Sequence, residues 1–252
     1  MIDSLYNYIL IPWVILGLLT FIVLLKVKAP YGKFVNQGWG PSISFKWGWI
    51  LQEIISPISF SFFFLWTIQE KGFVVWIFFI IWNLHYINRS IIFPLRKKEH
   101  KNTPKCPVVI ILSAIFFNLI NGFINGYFLG KIAQYNFDYI LSFNFIFGFL
   151  ILIIGIIINT KSDNILLKIK KEHSNYQIPN GFMYRYISCP NYFGEIVEWI
   201  GFYLMTLSIP ALIFVFWTMC NLIPRAISTH NWYLLNFDNY PKNRKVIIPF
   251  LI

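Results

Sequence analysis

The chain has 252 residues, of which 57% are hydrophobic, 20% aromatic and only 12% charged. A soluble domain carries about 25% charged residues, so this composition belongs in a bilayer and excludes an ordinary water-soluble globule. The net charge of +11 sits in short loops between apolar runs, where membrane topology explains it without nucleic acid.

A bilayer-spanning helix needs about 20 apolar residues. The first such run, 8–25, has the acidic Asp3 before it and no small-residue cleavage site after it, and reads as a retained span. A loop rich in turn formers follows, with Pro30, Gly32, Gly38, Gly40 and Pro41. The second span, 47–68, holds Gln52, Glu53 and Pro57, and the third, 72–93, holds Asn83, His85, Tyr86, Asn88 and Arg89. In the fourth, 108–130, Gly122, Gly126 and Gly130 recur every four residues, a small-residue stripe that lets two helices approach closely, with Asn118, Asn121 and Asn125 beside it. The fifth is 139–158. The segment 192–224 is too long for one span, and Ser208-Ile209-Pro210 supplies a break. It predicts two spans, 192–208 and 210–224, joined by a very short turn.

Lysine and arginine favour the cytoplasmic side. With seven spans and the N-terminus outside, one side collects Lys26, Lys28, Lys33 and Lys46, then Arg89, Arg96, Lys97, Lys98, Lys101 and Lys105. It also collects Lys161, Lys168, Lys170, Lys171 and Arg185, and finally Arg225, Lys242, Arg244 and Lys245. These are 19 of the 21 basic residues, leaving Lys71 and Lys131. Six spans would put the basic C-terminus on the wrong side. The expected fold is an all-α integral membrane protein of seven transmembrane helices, N-terminus lumenal and C-terminus cytosolic, forming one domain over residues 1–252.

Ionisable groups inside a span cost about 2.5–3.5 kcal/mol each on insertion scales, so Glu53 and the pair His85-Tyr86 need a reason. Helix–helix hydrogen bonding is one. A polar site in an apolar pocket is the other: a phenol is a neutral donor at physiological pH, and beside a carboxyl it can polarise a substrate carbonyl. The sequence has no HExxH, no GxSxG and no paired CxxC, and Cys106, Cys189 and Cys220 lie far apart. Metal and serine hydrolysis therefore have no support, and no metal site is expected. No GxGxxG follows a strand, so a dinucleotide here would not use a Rossmann turn. Loop Lys, Arg, Asn, Asp and aromatic side chains could hold one instead. On spacing alone, the basic loop 168–171 reads as ordinary cytosolic charge.

Several groups of residues form one pattern: Leu51-Gln52-Glu53, His85-Tyr86, Asn159-x-x-Ser162-Asp163, Ile178-Pro179-x-Gly181 and Asn191-x-x-Gly194-Glu195-x-x-Glu198-Trp199. Arg225-Ala226, His230-x-Trp232-Tyr233 and Tyr240-Pro241-x-x-Arg244-Lys245-x-x-Ile248-Pro249-Phe250 complete it. The set resembles the steroid 5-alpha-reductase family over nearly the whole chain. The resemblance implies an endoplasmic-reticulum membrane enzyme that uses NADPH to reduce the 4,5 double bond of a 3-oxo-4-ene steroid, with hydride going to C5. It implies that Glu53 and Tyr86 hold the 3-keto group. It also implies that Asn159, Asp163, Lys170, Tyr176, Asn191, Arg225, His230 and Tyr233 line the cofactor site, with Glu195 near the nicotinamide end. Lys170 stands where the family commonly has Arg, which keeps the charge and loses bidentate geometry. Thr229 stands where some animal members have a second His. The implied partners are a steroid or sterol-like lipid and membrane lipids, with no nucleic acid; the sequence leaves the oligomeric state open and is compatible with a monomer. The alternatives are a related reductase of enoyl thioesters or polyprenols or, outside enzymes, a small lipid transporter or binding protein. A transporter should show an internal repeat, and the sequence shows none.

Overall fold

The computed structural model describes residues 2–30, 32–35, 37–68, 72–100 and 104–251. Lys71 and Lys101, both counted above, lie outside the described residues. The helices are α1 (Ile2–Lys26), α2 (Phe45–Glu53), α3 (Ile55–Thr67), α4 (Phe73–Ile87), α5 (Phe93–Arg96), α6 (Val108–Tyr127), α7 (Phe143–Glu172), α8 (Pro190–Thr206) and α9 (Ile209–Asn236). A π turn, Asn88–Ile92, joins α4 to α5, and another, Phe128–Ile132, extends α6. Six of the resulting helical stretches are long and apolar enough to cross a membrane. α1 displays Ile11, Ile15, Leu18, Ile22 and Leu25 outward, a surface suited to lipid rather than water.

The chain divides into two compact units. One comprises Met1–Leu10, Ala29–Phe145 and Ser208–Pro210; the other comprises Ile11–Lys28, Ile146–Leu207 and Ala211–Ile252. The first unit is built on the parallel course of α2–α3 and α6. A two-residue antiparallel pair, β1 (Ser42–Ile43) with β2 (Cys106–Pro107), starts both stretches together. The glycine stripe then acts as its spacing predicts. A Cβ on Gly126 would strike the Phe60 carbonyl oxygen, and one on Gly130 would lie 2.6 Å from that of Phe64. The Ser59 hydroxyl donates to the Leu119 carbonyl across the same seam at 2.8 Å. α4 runs antiparallel to α3, with Trp82 stacked on Phe60 at 4.6 Å and Phe79 tilted against Phe64 at 4.7 Å. Asp3 accepts a hydrogen bond from Tyr127 and lies 4.0 Å from the Lys131 ammonium.

The second unit rests on α7, α8 and α9. α8 meets α9 through Trp199 and Phe214, with ring centroids 4.4 Å apart. The C-terminal tail returns to the start of α8, where Cys189, Ile196, Leu222, Ala226 and Ile247 share a buried core. The three cysteines are free and buried.

The structure changes three of the expected boundaries. The second span is not one helix: it breaks at Ile54, because Pro57 has no N–H to give the Glu53 carbonyl and its ring crowds that turn. The basic segment 168–171 is no loop but the last turns of α7, which contains no glycine or proline after Gly155. Its terminal lysines suit the negative helix end. α9 does not stop at Pro224 but runs to Asn236, so Arg225, His230 and Tyr233 are helical. α8 does end near the expected break, at Thr206, with Leu207 in the left-handed region at φ 45°. Its 17 residues span about 25 Å, so α8 is not among the six long helices.

Candidate active site

Glu53 and Tyr86 belong to the first unit. Glu53 is the last residue of α2, half-buried, and its carboxylate accepts from Gln52 Nε2 at 3.3 Å. Tyr86 is buried near the end of α4, between Trp82 at 5.3 Å and His85 at 5.0 Å. The two helices are pinned where the Trp49 indole N–H donates to the Arg89 carbonyl at 2.8 Å and the Arg89 guanidinium lies over the Trp49 ring at 4.7 Å. From that rung Glu53 is one turn forward along α2, and Tyr86 is one turn back along its antiparallel neighbour. Both residues therefore lie within one helical turn of the pin. Asn118 anchors this level from α6, donating to the Gln52 carbonyl at 2.7 Å.

The nine residues expected at a cofactor belong to the second unit. α7 and α8 touch backbone to backbone: a Cβ on Gly155 would strike Glu198 N, and one on Gly194 would strike Asn159 N. That approach lets side chains link across the seam. Asn159 Nδ2 donates to the Asn191 carbonyl at 3.0 Å, and Asn191 Nδ2 donates to the buried Asp163 carboxylate at 3.1 Å. Tyr184 closes the buried side by donating to the Ser162 carbonyl at 3.4 Å. Burial, and then the Asp163 charge, push its phenol well above the usual range. Lys170 lies over the Tyr176 ring at 4.6 Å, and Tyr176 meets Trp232 edge-on at 5.2 Å. Burial also raises Tyr176, which stays a phenol. Tyr233 stacks on Tyr240 at 5.2 Å with planes 3° apart, and His230 meets Tyr240 edge-on at 5.8 Å. Glu195 and Arg225 flank the core through their neighbours Ile196 and Ala226.

Sequence reasoning gave no role to Ser188, Tyr240 and Arg244, which form a buried group with His230, nor to the glycines of the α7–α8 seam. The glycines leave a signal: Gly148 and Gly155 on α7, and Gly194 and Gly201 on α8, are each seven residues apart, two turns on one face. Ser188 leaves none, because a serine before a proline-initiated helix is commonplace.

Long apolar helices, carrying a buried phenol and a half-buried carboxylate in one unit and a linked amide–carboxylate chain in the other, define an integral membrane protein with polar groups in each unit. The family model described as 3-oxo-5-alpha-steroid 4-dehydrogenase matches residues 104–252. The steroid 5-alpha-reductase DET2 of Gossypium hirsutum is 38% identical, over 99% of this chain and 98% of its own length. That of Arabidopsis thaliana is 35% identical, over 98% and 96%. The 3-oxo-5-alpha-steroid 4-dehydrogenase 1 of Mus musculus is 33% identical, over 94% and 93%. The chain belongs to the 3-oxo-5-alpha-steroid 4-dehydrogenase family, whose members are oxidoreductases acting on CH–CH groups.

Proposed function

We propose that residues 1–252 act as one reductase domain that reduces the 4,5 double bond of a 3-oxo-4-ene steroid with NADPH. The observation that carries this reading is that Glu53 and Tyr86 both lie within one helical turn of the Trp49–Arg89 contact, in a chain whose relatives are named steroid 5-alpha-reductase. A bound dihydronicotinamide would supply a hydride to C5, and a solvent proton would then complete C4. Negative charge developing on the 3-keto oxygen would meet the Tyr86 hydroxyl, which donates a hydrogen bond there. Glu53 orients that phenol. A donor aimed at charge that develops during reaction stabilises the transition state more than the ground state. The apolar surroundings of Tyr86 keep water away and strengthen the contact.

The second unit's residues suit a dinucleotide. Asn159, Asn191 and Asp163 offer amide and carboxylate groups to ribose or carboxamide, Lys170 and Arg225 offer cations to phosphate, and Tyr176 and Tyr233 offer flat rings. Charge-assisted contacts to an added 2′-phosphate favour NADPH over NADH. Glu195 stands at the nicotinamide end in this reading, and His230 lines the site. α8 serves as a short seventh span, within the lower range of about 17 residues. The 19 basic residues that a seven-span topology gathers on one side support a lumenal N-terminus and a cytosolic C-terminus, and residence in the endoplasmic reticulum follows from the family resemblance alone.

The test is NADPH oxidation by the detergent-purified protein against 4-ene-3-ketosteroids, enoyl thioesters and polyprenols. Turnover of the steroids is expected. Turnover confined to a thioester or polyprenol overturns the substrate class, and the absence of any retained or titratable nicotinamide nucleotide overturns the cofactor.

A further inference from the structure

Ser188 is a buried hydroxyl just before α8, and its Oγ meets three groups. The Lys245 carbonyl lies at 3.0 Å, the Tyr240 phenol oxygen at 2.6 Å and His230 Nδ1 at 2.6 Å. A serine hydroxyl has one hydrogen and two lone pairs. The Lys245 carbonyl can only accept, whereas the phenol and the imidazole can each donate, so giving the hydrogen to the carbonyl is the arrangement that satisfies all three contacts. Tyr240 and His230 must then both donate into Oγ. Tyr240 has the proton to give: burial pushes its phenol up, against smaller lowering contributions from Ser188 and Arg244. His230 therefore carries a hydrogen on Nδ1. In a neutral imidazole this leaves Nε2 as a bare lone pair.

The enclosure is well fixed. The Lys245 carbonyl also accepts from the Ser188 backbone N–H at 2.8 Å, and the Lys245 N–H donates to the Tyr186 carbonyl at 2.7 Å. Arg244, buried, lies over the Tyr240 ring at 4.9 Å and donates to the Pro179 carbonyl and the Asn180 side chain, each at 3.2 Å. The groups around His230 are thus Ser188, Tyr240 and the Arg244 cation, with Tyr233 one turn further along α9 and stacked on Tyr240.

We propose that Ser188 is a positioning residue that locks His230 in the Nδ1–H tautomer, making its Nε2 a hydrogen-bond acceptor for a neutral donor of the bound nucleotide, a ribose hydroxyl or an amide N–H. An imidazole side chain in water favours the opposite, Nε2–H form, so the serine reverses the intrinsic preference. A phosphate oxygen accepts only, and gains nothing from a bare lone pair; the 2′-phosphate is left to the Lys and Arg side chains. The tautomer stands independently of the cofactor assignment, whereas the acceptor role rests on it.

The experiment is nitrogen NMR on the full chain in detergent, labelled with ¹⁵N-histidine, at about pH 8, above the ordinary imidazole range near 6.5. The chain has 4 histidines, and His230→Gln identifies the relevant signals. In the wild type the protonated ring nitrogen of His230 is expected to be Nδ1. Ser188→Ala should return the ring to Nε2–H, and Ser188→Thr, which keeps the hydroxyl, should restore Nδ1–H. Saturating NADPH and saturating NADH should both move the Nε2 signal towards that of an accepted hydrogen bond, because the donor is common to both. Ser188→Ala should weaken both nucleotides by about tenfold, the size of one neutral hydrogen bond. An Nε2–H signal for His230 in the wild type, once assigned, overturns the proposal. An Nε2 that stays put while fluorescence shows nucleotide bound, or becomes protonated with NADPH alone, overturns the acceptor role. A protein that binds neither nucleotide overturns the cofactor reading and leaves the tautomer standing.

Discussion

Replacing Gly194 by alanine puts one methyl group where α7 and α8 leave no room. The new Cβ would strike Asn159 N and lie 2.9 Å from both Asn159 Cα and the Gly155 carbonyl oxygen, against 3.4 Å for ordinary contact. All three atoms are backbone, so no side chain can swing aside, and the helices must part by at least about 0.5 Å. The bond from Asn159 Nδ2 to the Asn191 carbonyl, 3.0 Å long, would open past the normal range of about 2.7–3.2 Å. Overpacking of this kind costs about 1–3 kcal/mol, and the lost hydrogen bond about 0.5–1.5 kcal/mol more. We expect a thermal midpoint several degrees lower in detergent and weaker nicotinamide-nucleotide binding. Asn159→Ala alone should show only the hydrogen-bond share. The double variant should fall short of the sum by about that share, because the bond is lost only once. Wild-type midpoint and affinity in Gly194→Ala would refute the backbone contact and the account of how the Asn159–Asn191–Asp163 chain is held.

Tyr86→Phe removes a hydroxyl and almost no volume, so the fold should persist while single-turnover reduction of a 4-ene-3-ketosteroid falls by about 10²–10³-fold; wild-type turnover would make Tyr86 structural. Glu53→Gln should also be severely impaired with nucleotide affinity nearly unchanged, and the double variant should lose much less than the product of the two effects. Arg225→Ala should raise the NADPH dissociation constant by about 10- to 100-fold, as for a hydrogen bond to a charged group, and equal kinetics with NADH and NADPH in the wild type would count against the phosphate role. Lys242→Cys and Lys131→Cys, labelled in sealed vesicles, should react from opposite sides; labelling from one face would end the seven-span topology.

What could be read from the sequence was whatever a single segment expresses. The glycine stripe of α6 announces itself because its period matches one helix face, and Glu53 and Tyr86 stand out because ionisable or polar groups are costly in a span. Hydropathy carried the helices but not their ends. Lys168, Lys170 and Lys171 are polar, yet a polar helix is still a helix when nothing breaks it, so α7 outruns its apolar part. Pro224 likewise reads as a stop, while α9 absorbs one missing hydrogen bond and continues. The features left unread need two distant segments at once. Gly155 and Gly194 gain meaning only when α7 and α8 face each other, and Ser188 only when the tail brings Lys245 and Tyr240 back to it.

The π turn Asn88–Ile92 begins two residues after Tyr86. Such a turn is an α-helix that has taken in one surplus residue while the stretches on either side keep their alignment. Elsewhere in an α-helix, deleting one residue swings everything beyond it by about 100°, which would carry Tyr86 off its face. Deleting one residue within Asn88–Ile92 instead closes the wide turn and leaves Tyr86 facing as before. The helix thus contains a joint at which one residue can be lost while the phenol keeps its aim.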